Sequence, residues 1–176
     1  MGIVTGAAAA YLVGCVPAAR FVRSVAGGRP WTEAAAALAD FAKGFLAIAL
    51  FGPDATAIGQ ALTLTAVVAG DQWPVVGRDP GRLGLWTAGG AMTALTPVTP
   101  VVFGVLWGLG FVASGYLTVG RVVGLALFWA ALGFVAGWPL GLIALPACVM
   151  VLERSRADLE QVRRGTDAKH HWREDG

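Results

Sequence analysis

Charge is what this chain has least of. Only 14% of its 176 residues are charged, against about 25% in an ordinary soluble domain. None falls between Arg82 and Arg121, and none between Arg121 and Glu153. Apolar stretches of that length argue against a soluble globule of this size, whose surface must stay wet. They read as membrane spans of roughly 20 residues each. The runs are continuous rather than alternating, which argues against a β-barrel. Cysteine and histidine are nearly absent. Cys15 and Cys148 lie in apolar segments and read as small buried packing residues, not as a disulfide or a metal site. His170 and His171, adjacent in a polar tail, have no zinc-ligand spacing. The first apolar run has no basic residues before it, so it reads as a span and not as a cleaved signal. No G-x-S-x-G turn is present to display a serine nucleophile. No metal site is expected from these residues. The net charge of +2 says little by itself, and no nucleic-acid partner is expected.

What is present is 56% hydrophobic residues, cut into blocks by Gly, Pro and the few charges. The blocks predict an all-α, polytopic membrane helix bundle of about seven transmembrane or partly re-entrant helices: 3–22, 34–52, 55–73, 84–97, 99–119, 121–137 and 139–153. Gly27-Gly-Arg-Pro30, Gly52-Pro-Asp54, Pro97-Val-Thr-Pro100 and Trp138-Pro139 punctuate them. Basic loops alternate with non-basic ones. Arg20, Arg23 and Arg29 mark the first loop, Arg78 and Arg82 the third, Arg121 the fifth, and Arg154, Arg156, Arg163, Arg164, Lys169 and Arg173 the tail. By the positive-inside rule the N-terminus lies outside and the C-terminus in the cytoplasm. Residues 1–153 are then the membrane domain and 154–176 a polar cytoplasmic tail. Leu159 and Val162 give that tail enough for a short surface helix.

The predicted cytoplasmic side collects nearly all the polar and Gly-rich material. Gly lets backbone approach a ligand closely. Successive N–H groups of Gly-rich turns cradle anions, and Arg adds bidentate contacts to phosphate. A phosphate cleft at that interface is one reading; turning and topology are the other. Asp40 and Lys43 lie within the second span at i and i+3 and share a face. Charges there are costly, so a structural ion pair and a functional site are both open.

Taken in order, the polar segments resemble those of the bacterial acyl-phosphate:glycerol-3-phosphate acyltransferases, the PlsY family. Ala10-Tyr-Leu-Val-Gly-Cys-Val-Pro17 resembles A-Y-L-L-G-S-I-P, and Arg23-Ser-Val-Ala-Gly-Gly-Arg-Pro30 resembles R-K-V-G-S-G-N-P. Asp40-Phe-Ala-Lys-Gly44 is similar to D-x-x-K-G, Gly70-Asp-Gln-Trp-Pro74 to G-H-x-F-P, and Gly77 to Arg82 to the start of G-F-K-G-G-K-G. Tyr116-Leu-Thr-Val-Gly120 resembles Y-V-S-L-G, and Arg154 to Asp167 resembles R-H-R-E-N-I-K-R-L-L-A-G-T-E without a gap. The departures are specific. Gly27 and Arg29 replace Ser and Asn, Asp71 stands where the family has His, and Asp79 and Arg82 replace two Lys. Ser155 and Asp158 replace His and Asn.

The resemblance implies acyl transfer from acyl-phosphate to glycerol 3-phosphate, among membrane lipids and without metal or coenzyme A. It implies Arg23, Gly27, Gly28, Arg29, Lys43, Gly77, Gly81 and Arg82 as phosphate or substrate groups. Asp40, Asp71 and Arg156 would support them, Asp71 by orienting Arg23 or Arg29. The alternative is a catalytically impaired member that serves as an anionic-lipid-binding or scaffold protein. A small transporter is a third reading. It fits less well, because the polar residues gather at one face whereas transport sites lie near the midplane.

Overall fold

A backbone that cannot bond to water must close its hydrogen bonds within each segment, and apolar runs of this kind do so as helices. The computed structural model describes residues 2–27, 29, 31–52, 56–75 and 84–165. They form nine helices and, among the described residues, no strand. These are α1 (Ile3–Cys15), α2 (Ala18–Ala26), α3 (Thr32–Phe51), α4 (Ala57–Gln72) and α5 (Leu85–Leu95). After them come α6 (Thr99–Ser114), α7 (Leu117–Ala136), α8 (Trp138–Arg154) and α9 (Arg156–Arg163).

The helix ends follow from local chemistry. Thr56 caps α4 by accepting a hydrogen bond from the Gly59 N–H at 3.3 Å. Thr96 is extended, as a residue before proline must be, and closes α5 ahead of Pro97. Two expected boundaries move. The first span is broken at Val16 and Pro17, because proline supplies no N–H to carry the helix on. The fifth ends at Ser114 rather than 119, since Gly115 takes the left-handed conformation at φ 76° that terminates helices. Arg121 therefore lies inside α7 and not at a junction.

Three stretches are long and apolar enough to cross a membrane alone: Ile3–Ala26, Thr32–Phe51 and Leu117–Ala136. Helices α8 and α9, bent by 46° at their junction, make a fourth if counted as one span. Helix α5 has 11 residues, about 17 Å of rise, and reaches only part-way through a bilayer core of about 30 Å.

Small residues decide which helices touch. A Cβ on Gly14 of α1 would lie 3.0 Å from the Cα of Gly70 on α4, and one on Gly70 would lie 3.0 Å from the Cα of Gly14. Gly44 of α3 abuts the Thr87 backbone of α5, and Gly90 of α5 abuts the Phe41 backbone of α3. Gly110 meets Gly120 between α6 and α7, and Gly141 meets Gly133 between α7 and α8, each at 3.0 Å from the built Cβ to the opposite Cα. Close backbone contact of this kind drives helix association where lipid removes the hydrophobic driving force between helices. Four of these glycines, Gly14, Gly44, Gly70 and Gly120, belong to the segments quoted above for their resemblance. Large apolar side chains point the other way: Leu38, Leu50, Ile58, Val112 and Phe134 are exposed on the outside of the bundle, as a surface solvated by acyl chains requires.

Candidate functional site

Short connections make successive apolar helices reverse direction, so the charges collect at one end of the bundle. The C-terminal ends of α1, α4 and α8 meet there with the N-terminal parts of α3, α5 and α7, and the contacts below tie them together.

The centre is Lys43. Pro17 ends α1 and leaves its last carbonyls without helical donors, and those oxygens carry the negative end of the α1 dipole. The Lys43 ammonium donates to the Gly14 and Val16 carbonyls, both at 3.2 Å. It also donates to Asp71 Oδ1 of α4 at 2.5 Å and lies 3.4 Å from Asp40 Oδ1 one turn away on α3. Asp40, Lys43 and Asp71 are all buried. The expected shared face of Asp40 and Lys43 thus turns into the bundle. Lys43, expected among the phosphate cations, is surrounded by four oxygens of the protein. Asp71, expected to orient Arg23 or Arg29, closes on Lys43.

The C-terminus of α4 beside it is capped from two sides. Tyr11 of α1 donates its hydroxyl to the Trp73 carbonyl at 2.8 Å. Arg154 of α8 donates to the Gln72 carbonyl at 3.2 Å and lies 5.8 Å from the Trp73 ring centroid. Nearer the surface, Arg23 forks onto Glu33 at the start of α3, Nε to Oε1 at 3.0 Å and Nη2 to Oε2 at 2.8 Å. Both side chains are exposed. Arg29 lies 5.8 Å from the Trp31 ring centroid. Gly27 ends α2 at φ 50° with open space where a Cβ would project. Arg156 is exposed and paired with Glu153 at 2.5 Å. Gly28, Gly77, Gly81 and Arg82 lie outside the described residues. Among the described residues no three His, Cys, Asp or Glu side chains converge as a metal site, and Cys15 and Cys148 are free thiols.

Three features escape a reading of the sequence by segments: the α1 carbonyls, the Arg154 cap and a partner for Arg121. Arg121 Nη2 donates to Asp158 Oδ2 of α9 at 2.5 Å. Its signal was available, since it is the one charged residue between Arg82 and Glu153. Arg121 also borders a cavity of about 500 Å³ lined by aromatic and aliphatic side chains of α3, α5, α6, α7 and α8. This end of the bundle can therefore offer exposed guanidinium groups to an anion, over a buried and internally neutralised floor, beside an apolar chamber.

A family profile described as "Glycerol-3-phosphate acyltransferase" matches residues 26–165. A glycerol-3-phosphate acyltransferase of Bordetella avium is 27% identical over 191 aligned positions, covering 91% of this chain and 89% of that protein. One of Clostridioides difficile is 30% identical and covers 75% of this chain and 68% of its own. Crystal structures of PlsY (YgiH), an integral membrane glycerol 3-phosphate acyltransferase, share the fold. Its lysophosphatidic acid form has a TM-score of 0.78 at 21% identity, over 95% of this chain and 94% of that one. Its glycerol 3-phosphate form has a TM-score of 0.76 over 96% of both.

Proposed function

The chain belongs to the glycerol-3-phosphate acyltransferase family, a multi-pass membrane protein of bacterial-type phospholipid synthesis, and from that premise we propose that it acylates glycerol 3-phosphate with an acyl-phosphate. The observation that carries this reading is the reach of the family match, residues 26–165. That stretch includes Asp40, Lys43, Asp71 and α9, the parts that build the charged end.

The 1-hydroxyl oxygen of glycerol 3-phosphate attacks the acyl carbonyl carbon. The new ester bond forms, the bond from that carbon to the phosphate oxygen breaks, and inorganic phosphate departs with the electron pair and the hydroxyl proton. The products are lysophosphatidic acid and phosphate. The donor is already activated, so the protein must position two anions and neutralise them. Arg23 and Arg29 are the groups for this. A phosphate carries more charge than the Glu33 carboxylate and fits the same guanidinium fork. The backbone at Gly27, Gly28, Gly77 and Gly81, with Arg82, completes the cradle in this proposal. Lys43, with Asp40 and Asp71, supports the floor beneath it. Residues 1–153 form the membrane part, and the chain from Arg154 onward lies in the cytoplasm.

Purified protein supplied with palmitoyl-phosphate and glycerol 3-phosphate should release lysophosphatidic acid and phosphate in equal amounts, and Arg23→Ala should reduce that rate by at least about ten-fold. Folded wild-type protein that forms no ester sinks the reading. Reporter fusions at Gly2, Asp54, Asp79 and Gly176 should read outside, outside, inside and inside; an outside signal at Gly176 overturns the orientation.

A further inference from the structure

Glu33, in the first turn of α3, is the one carboxylate among the described residues that stands on a guanidinium proposed for phosphate. Both of its oxygens are engaged by Arg23, Oε1 by Nε at 3.0 Å and Oε2 by Nη2 at 2.8 Å. The two side chains are nevertheless 45% and 73% exposed, and a pair so exposed contributes at most about 1 kcal/mol, so it separates at little cost. The other described carboxylates are committed elsewhere. Asp40 and Asp71 are buried about Lys43. Asp158 holds Arg121, and Glu153 and Glu160 pair with Arg156 and Arg164.

Acyl transfer has one requirement that cations do not meet. The attacking 1-hydroxyl must lose its proton, and guanidinium and ammonium groups have no acceptor to take it. An ionised carboxylate has. A phosphate that takes the Arg23 fork displaces Glu33 and leaves its carboxylate next to the glycerol that the phosphate carries. We propose, resting on the acyltransferase reading above, that Glu33 is the catalytic base of the transfer. Its freed carboxylate accepts a hydrogen bond from the 1-hydroxyl of glycerol 3-phosphate and takes the proton as that oxygen bonds to the acyl carbonyl carbon. The bond from this carbon to the phosphate oxygen breaks, and its electron pair leaves with the phosphate. Glu33 passes the proton to the departing phosphate, is a carboxylate again, and returns to Arg23 when the product leaves. Substrate binding and release of the base are then one event. Before glycerol 3-phosphate arrives, both Glu33 oxygens are occupied, and no base is offered to water that could hydrolyse the acyl-phosphate.

The test uses full-length protein in phosphatidylcholine nanodiscs, with palmitoyl-phosphate and glycerol 3-phosphate each varied through saturation. Glu33→Gln keeps the shape at an exposed position and should leave the unfolding midpoint unchanged. It should lower kcat by about a hundred-fold, the scale of one general base. Its KM for glycerol 3-phosphate should stay the same or fall, because Arg23 has lost its resident anion. Glu33→Asp, with the carboxylate on a shorter stem, should retain more of kcat than Glu33→Gln. Glu160→Gln removes another exposed ion pair and should leave kcat as it is. A Glu33 that served only to start α3 would give no split between kcat and KM. A kcat for Glu33→Gln within about three-fold of the wild type overturns the base, as does a raised KM at unchanged kcat. The two readings fail separately. Wild-type turnover with an undiminished Glu33→Gln sinks the role of Glu33 alone, whereas folded wild-type protein that forms no ester sinks the acyltransferase reading and this proposal with it.

Discussion

Two cations are withdrawn from water at the same end of this bundle, and they are treated in opposite ways. Lys43 is met by two carboxylates and two carbonyls drawn from α1, α3 and α4. Arg121 is met by one carboxylate from a surface helix and faces an apolar chamber. A charge whose donors are all taken by the protein holds helices in place. The Arg121 Nε is buried with no acceptor among the described residues, at the border of a cavity. The positive-inside rule counts both as the same unit of charge, and only their surroundings separate them.

The largest effect expected from breaking this contrast is at Lys43. Lys43→Met leaves Asp40 and Asp71 buried without their shared cation and should cost about 3–5 kcal/mol, read as a large drop in the thermal unfolding midpoint in lipid. Adding Asp71→Leu to Lys43→Met should recover part of that loss, because it removes a buried carboxylate that has lost its Lys43 contact. An unfolding midpoint unmoved by Lys43→Met would show that Lys43 is open to solvent and available to ligand, and the contrast would vanish.

The next effect tests the glycines that bring α1, α3, α4 and α5 around Lys43. Gly44→Ala drives a methyl into the Thr87 backbone of α5 and should cost about 1–3 kcal/mol. Gly108→Ala is the control, since a Cβ there meets nothing within 4 Å. It should be neutral or stabilising by up to about 1 kcal/mol through helix propensity. Equal losses at the two positions would refute the close-contact account.

Smaller again is Arg154→Ala. It removes one hydrogen bond to the Gln72 carbonyl and a ring contact with Trp73, together about 1–2 kcal/mol. Hydrogen exchange should show the loss at the C-terminus of α4 before anywhere else. Smallest in stability is Arg23→Ala, because the Arg23–Glu33 fork is exposed on both sides and such pairs contribute little. Its unfolding midpoint should match the wild type while its affinity for glycerol 3-phosphate falls by at least about ten-fold. A stability loss as large as that of Lys43→Met would move Arg23 from the ligand-facing class to the structural one.

The amino-acid sequence by itself determined the helical membrane architecture, because long uncharged runs have no other way to satisfy their backbone. It determined the approximate helix boundaries, because Gly and Pro act within a few residues of where they stand. It also showed that Asp40 and Lys43 share a face, which needs only the helical repeat. It misplaced the break after α6, where Gly115 outweighs a continuous apolar pattern that runs to Arg121. Only the tertiary structure decided what each charge does. Asp71 reaches Lys43 across 28 positions of chain, and the carbonyls that complete the coordination carry no sequence signature beyond the proline that follows them. Asp158 reaches Arg121 across 37 positions, from a tail that composition marks only as solvated. Close contact of α1 with α4 and of α3 with α5 is set by which glycines face each other. That is a property of two helices at once, and it is what buries Lys43 among oxygens of α1, α3 and α4 while Arg121 stays at the border of a cavity.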